Sequence, residues 1–243
     1  MELKTIPTDK DDIVKTIRRF ELNDIPPSSF NILLGKRRSG KSYLTEDLIQ
    51  KMIKNKMLDM VLLFSGTDSG FSFIDKEFRF GGDMEKLNQL VDNLKHITEY
   101  NSVAPKKEQI KANIAVIIDD HAVSLKSREF NILETLAVNG RHYAKPPLSL
   151  HIYVLAQSLT KIPKVVRLNA DLIFFNSIAS MREREIIFDE NLYMLESDIQ
   201  GRRKARNIYD KLVIQDNFVF VCILNCKQNV KEYSDYLVTY KAE

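Results

Sequence analysis

Two glycines, a lysine and a serine form the part of the sequence with the clearest chemistry. Gly35, Gly40, Lys41 and Ser42 match the spacing G-x-x-x-x-G-K-[ST]. The glycines permit backbone angles that let successive N–H groups turn inward around phosphate oxygens. The lysine can reach the β- and γ-phosphates of a nucleoside triphosphate, and the serine hydroxyl can bind Mg²⁺. The spacing therefore predicts a phosphate-binding loop.

The residues around this spacing supply the context that such a loop requires. Residues 30–34 are an apolar run that predicts a strand, and residues 43–57 have the periodicity of an amphipathic helix. The helix beginning near Lys41 directs the positive end of its dipole at the anion. For the three basic residues of the loop, contact with phosphate and contact with a neighbouring subunit both stay open. We expect the nucleotide to be bound by Gly35, Lys36, Arg37, Arg38, Ser39, Gly40, Lys41, Ser42 and Tyr43.

Two adjacent carboxylates follow another apolar run. Asp119 and Asp120 end residues 114–118, which predict a strand buried on both faces. We expect Asp119, on a strand beside the loop strand, to complete a Mg²⁺ site with Ser42. Asp120 would lie beside the γ-phosphate and orient an attacking water as a general base. Two turn carboxylates at a strand end are the ordinary alternative, but the phosphate loop upstream favours catalysis.

Polar residues also end two further predicted strands. Gln157 directly follows residues 150–156, and Asn176 follows residues 172–175. Ligands of open α/β sheets bind beyond the carboxyl ends of the strands. Gln157 is therefore a candidate for sensing the γ-phosphate or holding the catalytic water, with a solvated loop glutamine as the alternative. The position of Asn176 is a weaker signal of the same kind.

Basic residues suggest two further roles. An arginine from a neighbouring subunit often neutralises transition-state charge in such sites. Arg141, between a predicted helix and the fourth strand, is our preferred candidate, and Arg167, Arg182 and Arg184 are alternatives.

A cluster of basic residues lies on another predicted helix and could contact a nucleic-acid backbone, although a solvated helix face is the ordinary interpretation. This cluster comprises Arg202, Arg203, Lys204 and Arg206.

The composition of the 243-residue chain is that of an ordinary soluble globular protein, with 44% hydrophobic and 28% charged residues. A net charge of +3 neither requires nor excludes a polyanionic partner. Cys222 and Cys226 lack C-x-x-C spacing, so we expect buried free thiols in a reducing compartment. Without a signal-peptide pattern or an apolar run of membrane-spanning length, we expect an intracellular protein with no transmembrane segment.

Apolar runs alternate with helical periodicity along the rest of the chain. This alternation predicts an α/β fold, in which a mostly parallel central sheet is flanked by helices. We expect an N-terminal arm at residues 1–29, covering an edge of the core, and a single P-loop domain at residues 30–243. Further strands are predicted at 60–64 and 218–225, and helices at 84–100, 130–138, 181–188 and 195–212. Asn139-Gly140 is expected to stop the helix before it.

The order of these motifs resembles that of the poxvirus-type DNA-packaging ATPases of large DNA viruses, a branch of the FtsK/HerA superfamily. The similarity extends over residues 30–190 and includes Asp119-Asp120-His121, Arg141-His142, Gln157-Ser158, Ile162-Pro163 and Arg167-Leu168-Asn169. It implies a P-loop NTPase fold of the additional-strand type and a homo-oligomeric ring, pentameric or hexameric. The family pumps double-stranded DNA into a preformed capsid, using ATP and Mg²⁺.

The resemblance also assigns residue roles. It implies Lys41, Asp120, Gln157 and Arg141 as catalytic residues, and Ser42 and Asp119 as metal ligands. Many cellular relatives carry glutamate where this chain has Asp120, so its shorter side chain implies an altered water position. The implied location is the viral assembly site in the host cytoplasm. Association with the virion, and with capsid or inner-membrane virion proteins, stays open.

Two other functions compete with a DNA motor. A P-loop small-molecule kinase would need an acceptor site, which the polar and aromatic residues 65–82 could supply. The carboxylate pair and Gln157 favour hydrolysis over transfer, and the sequence shows no arginine-rich lid. A nucleotide-dependent assembly scaffold would bind ATP with negligible turnover.

Overall fold

A seven-stranded sheet forms the centre of the protein. The computed structural model describes residues 16–66, 70–119, 127–176, 178, 180–192, 199–214 and 218–243. The strands are β1 (Ser29–Leu34), β2 (Met60–Ser65), β3 (Ala112–Asp119), β4 (Leu148–Ala156), β5 (Leu172–Phe175), β6 (Val219–Leu224) and β7 (Leu237–Lys241).

The strand order is β2-β3-β4-β1-β5-β6-β7. The first five strands in this order run parallel, while β6 and β7 are antiparallel to their neighbours. This confirms the mostly parallel sheet of the additional-strand P-loop fold, in which β4 is inserted between the loop strand and the carboxylate strand. The expectation that the strand of Asp119 lies beside the loop strand is wrong. All nine residues of β4 are buried, as suits a strand paired on both sides.

Helices connect the strands and cover the sheet. They are α1 (Lys41–Lys54), α2 (Met84–Val103), α3 (Ser127–Tyr143), α4 (Lys164–Leu168), α5 (Met181–Glu190), α6 (Ile199–Ile214) and α7 (Tyr233–Tyr236). The prediction that Asn139-Gly140 stops a helix is wrong, because α3 runs through both residues. Gly140 does not adopt a positive φ there, and the chain leaves the helix just before Pro146-Pro147, which cannot continue it.

Both edges of the sheet are covered by other parts of the chain. At one edge the N–H of Phe20 donates to the carbonyl of Thr239 in β7 at 2.8 Å, and the Phe20 ring packs edge-on against Phe174 at a centroid distance of 5.3 Å. At the other edge the N–H of Phe80 donates to the carbonyl of Leu63 in β2 at 2.8 Å. These contacts reduce the number of backbone groups that each edge offers to another strand.

The expected free thiols lie at the β6 end of the sheet. Cys222 is buried in β6 and Cys226 is half-buried, and both are free. Burial raises the pKa of the Cys222 thiol well above its usual value, which keeps it protonated and unreactive. None of the helices in the described ranges combines the length and the apolar character that a membrane crossing requires.

Candidate functional site

The phosphate loop is anchored where β1 and β4 end. The N–H of Gly35 donates to the carbonyl of Ala156, the last residue of β4, at 3.2 Å. A Cβ atom on Gly35 would overlap Ser39 Oγ and lie 3.2 Å from Ser39 Cβ and 3.3 Å from Lys41 Cγ, so a side chain there would make the Ser39 hydroxyl rotate and its neighbours shift. Close approach within the loop therefore favours glycine at the first position of the motif.

The second glycine is required by backbone conformation. Gly40 has φ 91°, in the left-handed region, and it is the N-cap of α1. Its carbonyl accepts the first helical hydrogen bond, from the N–H of Leu44 at 2.8 Å. Arg38 also has a positive φ, of 64°. Such alternation turns backbone N–H groups toward one point, and the first N–H groups of a helix have no acceptor within it. The loop is thus built to surround an anion.

The Lys41 side chain folds over the loop. It is only 8% exposed, and its ammonium donates to the carbonyl oxygens of Gly35 at 2.7 Å and of Lys36 at 3.1 Å. Ser39 Oγ is buried and has no hydrogen-bond partner among the residues that the structure describes. A buried lysine that donates to loop carbonyls, beside a hydroxyl with no partner among the described residues, suits the oxygens of a bound phosphate.

The two residues expected to bind Mg²⁺ both lie at the carboxyl ends of the parallel strands. Ser42 is in the first turn of α1, half-buried, and Asp119 ends β3 with 8% exposure. Asp119 is in register with Leu155 of β4, one residue before the anchor of the phosphate loop. A hydroxyl and a carboxylate are ligands that Mg²⁺ prefers, so the residues present fit this ion. Asp120 lies outside the described residues, and its role as a base stays a prediction.

Gln157 is brought next to the loop by the position of β4. It is exposed and directly follows Ala156, the residue that binds Gly35. A cavity of about 140 Å³ separates the loop from the start of α5, with room for several waters. Its walls are Leu34, Gly35, Lys36, Gln157, Leu159, Ile178, Ser180 and Glu183. Gln157 and the phosphate loop therefore face one shared space.

Glu183 is a residue of this cavity that sequence reasoning missed. Ser180 caps α5, and its hydroxyl accepts from the N–H of Glu183 at 3.4 Å. The spacing Ser-x-x-Glu would predict a capping box, in which the glutamate turns back to the cap residue. The Glu183 carboxylate instead accepts a hydrogen bond of 2.5 Å from Ser158 Oγ. The sequence signal pointed to a helix start and gave no indication of this contact.

Arg141 and Arg167 do not join the phosphate site of their own chain. Arg167 is buried and binds both carboxylate oxygens of Glu190, at 2.8 and 2.6 Å, so a role as a mobile arginine finger does not fit it. Arg141 is exposed at the end of α3, close to Asp171 and the amino-terminal ends of β1 and β4. Six residues of β1, roughly 20 Å of strand, separate that end from the loop. A role of Arg141 toward a neighbouring subunit stays a prediction.

The remaining candidates are distributed as follows. Asn176 is buried, and its N–H donates to the carbonyl of Leu34 at 3.3 Å.

In the basic cluster, Arg206 binds Glu185 at 2.9 and 2.8 Å, and Lys204 lies 5.6 Å from the centre of the Tyr233 ring. Arg202 and Arg203 are exposed on α6, and Arg203 is placed to meet an external polyanion.

No protein-family model matches the sequence, and no curated protein matches it closely enough to count as a relative. Solved structures do match the fold. The genome-packaging NTPase B204 of Sulfolobus turreted icosahedral virus 2, in complex with sulfate, matches with a TM-score of 0.58 at 16% identity, over 90% of this chain and 98% of that one. The DNA-packaging ATPase B204 of Sulfolobus turreted icosahedral virus gives 0.57 at 15%, over 90% and 100%.

A structure from outside the viruses matches as well. The conjugation coupling protein TcpA of pCW3, with ATPγS, gives a TM-score of 0.55 at 14% identity, over 93% of this chain and 69% of that one. At such identities the similarity concerns the fold, which these proteins share with this chain. The strand order and the position of the phosphate loop agree with that fold.

Proposed function

We propose that the chain is an ATP-hydrolysing motor that moves double-stranded viral DNA into a capsid. The observation that carries the proposal is the position of Gln157. It follows the strand inserted between the loop strand and the strand of Asp119, and it faces one cavity with Gly35 and Lys36. A hydrolase needs a polar group that contacts the γ-phosphate or the attacking water, and a glutamine amide can do either.

The other residues of the site fit the same chemistry. On nucleotide binding, the Lys41 ammonium would exchange the carbonyls of Gly35 and Lys36 for oxygens of the β- and γ-phosphates. Ser42 and Asp119 would hold Mg²⁺, which supplies positive charge to the phosphates when bound. Asp120 would accept the proton of the attacking water, and Gln157 would orient that water.

The similarity of fold supports the substrate and the assembly. The B204 proteins are described as genome-packaging enzymes, and one of them has been solved with AMP, AMPPCP and ATPγS. By analogy we infer that this chain acts on double-stranded DNA as a pentameric or hexameric ring, with Arg141 reaching the site of the next subunit. Capsid proteins would be its docking partners, and the assembly site in the host cytoplasm its location.

The described part of the segment considered for a kinase acceptor site, residues 65–66 and 70–82, lies at β2, and its position argues against the kinase alternative. Residues 70–82 pack along β2, where the side chain of Arg79 donates to the carbonyls of Ile74 at 2.9 Å and Phe71 at 3.0 Å. The strands β3 and β4 lie between β2 and the loop strand. These residues therefore close the far edge of the sheet, away from the phosphate loop.

The test is ATP turnover with and without duplex DNA, measured together with the mass of the oligomer. We expect DNA to stimulate turnover, and Lys41→Ala to abolish it while the circular dichroism spectrum is kept. Arg203→Ala should lower the stimulation by DNA and leave the basal rate unchanged. ATP binding with negligible turnover in the presence of DNA would support a scaffold and contradict the motor.

A further inference from the structure

Two phenylalanine rings lie against the second glycine of the phosphate loop. A Cβ atom on Gly40 would be 3.5 Å from Phe218 Cδ1 and 3.9 Å from Phe220 Cε2. Phe220 is 1% exposed and belongs to the hydrophobic core, whereas Phe218 is 59% exposed. Phe218 thus presents an aromatic surface to solvent at the rim of the site.

The strand order fixes the direction in which a bound nucleotide must run. Asp119 on β3 and Gln157 after β4 lie on one side of β1, so the γ-phosphate is directed to that side. Strands β5 and β6 lie on the other side. Because a triphosphate is a linear chain, its nucleoside must leave the loop away from the γ-phosphate. Phe218 directly precedes β6 and lies on this second side.

A second exposed ring lies close by in the first turn of α1. Tyr43 is 58% exposed and lies three residues after Gly40, on the same face of the helix. Its hydroxyl donates to the carbonyl of Glu243 at 2.7 Å, which holds the ring toward the residues that follow β7. Single exposed aromatic residues are ordinary on protein surfaces. Here two of them flank the end of the loop that the nucleoside must approach.

We propose that Phe218 is the surface on which the purine base of the nucleotide stacks, with Tyr43 bounding the same subsite. The proposal rests on the proposed function and adds the binding site of the nucleobase to it. Stacking on an aromatic ring requires only the π face of the base. It contributes roughly five- to 150-fold in affinity.

The experiment compares two ligands by calorimetry on the full chain, ATP and inorganic tripolyphosphate, each with Mg²⁺. The variants are Phe218→Ala, Phe218→Trp and, as a matched control, Tyr100→Ala, which removes a 45% exposed ring on α2. Phe218→Ala should weaken ATP binding by at least five-fold and leave tripolyphosphate binding unchanged. Phe218→Trp and Tyr100→Ala should bind both ligands like the wild type.

Three other outcomes would overturn either the base subsite or the proposed function. If Phe218→Ala binds ATP with wild-type affinity, the Phe218 ring does not stack on the base and the proposal is wrong. Equal losses for ATP and tripolyphosphate mean that the ring supports the loop at Gly40 and not the base, which also overturns the proposal. A wild-type chain that binds neither ligand overturns the proposed function itself, and the subsite with it.

Discussion

Ser158 Oγ donates a hydrogen bond of 2.5 Å to the carboxylate of Glu183. Ser158 is the neighbour of Gln157, and Glu183 lies in the first turn of α5. The same helix carries Glu185, whose carboxylate binds Arg206 of α6 at 2.8 Å. We therefore hypothesise that α5 links Gln157, the proposed γ-phosphate sensor, to the basic residues of α6. A shared helix does not by itself show that two sites are energetically coupled. Coupling is shown when a substitution at one end of the helix alters a property measured at the other end.

The first prediction concerns this hydrogen bond. Glu183→Ala should lower DNA-stimulated turnover by at least about ten-fold, because a charge-assisted hydrogen bond of this kind contributes about 1.5–3 kcal/mol to positioning. The affinity for ATP should change less than two-fold, since Lys41 and the loop backbone are untouched. Steady-state kinetics and calorimetry give the two quantities.

The control for this prediction is Glu85→Ala, which removes an exposed glutamate from the first turn of another helix, α2. It should leave both quantities unchanged. If Glu183→Ala also retains wild-type turnover, then the contact with Ser158 has no part in the reaction and the proposed link through α5 fails.

The second prediction uses two glycines that differ in their surroundings. In Gly35→Ala the new methyl would overlap Ser39 Oγ and lie 3.3 Å from Lys41 Cγ, so the Ser39 hydroxyl must rotate away and the Lys41 side chain must shift. We expect ATP affinity to fall at least ten-fold, with a loss of about 1 kcal/mol in the free energy of unfolding.

The comparison variant is Gly140→Ala, whose methyl would meet no atom within 4 Å and would lie in helix α3. Alanine there should raise the free energy of unfolding by up to about 1 kcal/mol, and nucleotide binding should stay the same. Urea unfolding and calorimetry measure both variants. Wild-type ATP affinity in Gly35→Ala would refute the tight-turn account of the loop.

The third prediction tests whether Arg141 acts between subunits. Lys41→Ala and Arg141→Ala should each be inactive. When both are co-expressed with different tags, an intact loop meets an intact arginine at about a quarter of the interfaces of a randomly mixed ring. Turnover should then recover to about a quarter of the wild-type rate. Purified rings that carry both tags and stay inactive would exclude Arg141 as a finger.

The loop itself could be predicted from the sequence because its parts are contiguous. Gly35, Gly40, Lys41 and Ser42 lie close together in the sequence, so their relative positions follow from local backbone geometry, which the spacing encodes directly. The position of β4 could not be predicted in this way, since strand order depends on pairing between distant segments. The same holds for Glu183, which meets Ser158 only after β5 and α5 have packed.

Some local signals were overridden by their context. Asn139-Gly140 is a common helix stop, yet the flanking residues of α3 pack against the sheet and the helix continues to Tyr143. Strand β7 was not predicted, because the polar residues Thr239 and Lys241 interrupt the apolar run that marks the other strands. It forms through pairing with β6 and with the N-terminal residues around Phe20. Non-local pairing of this kind leaves little trace in hydrophobic periodicity.

The fourth prediction concerns acid stability and follows from a buried histidine. His151 of β4 is 3% exposed, and its Nδ1 lies 3.0 Å from Ser29 Oγ on β1. Burial lowers the pKa of His151 from 6.5 to about 4. Between these values the unfolded chain binds a proton that the folded chain does not, so stability is complete above pH 6.5 and falls as the pH falls toward 4.

The loss attributable to His151 should reach about 3 kcal/mol. Because carboxylates also titrate in this range, the measurement is the difference between the wild type and His151→Gln, which does not titrate and keeps an acceptor for Ser29. In urea unfolding, the wild type should lose stability relative to the variant as the pH is lowered from 7.5 to 4.5. Parallel pH curves for the two proteins would show that His151 is protonated in the fold as easily as in the unfolded chain.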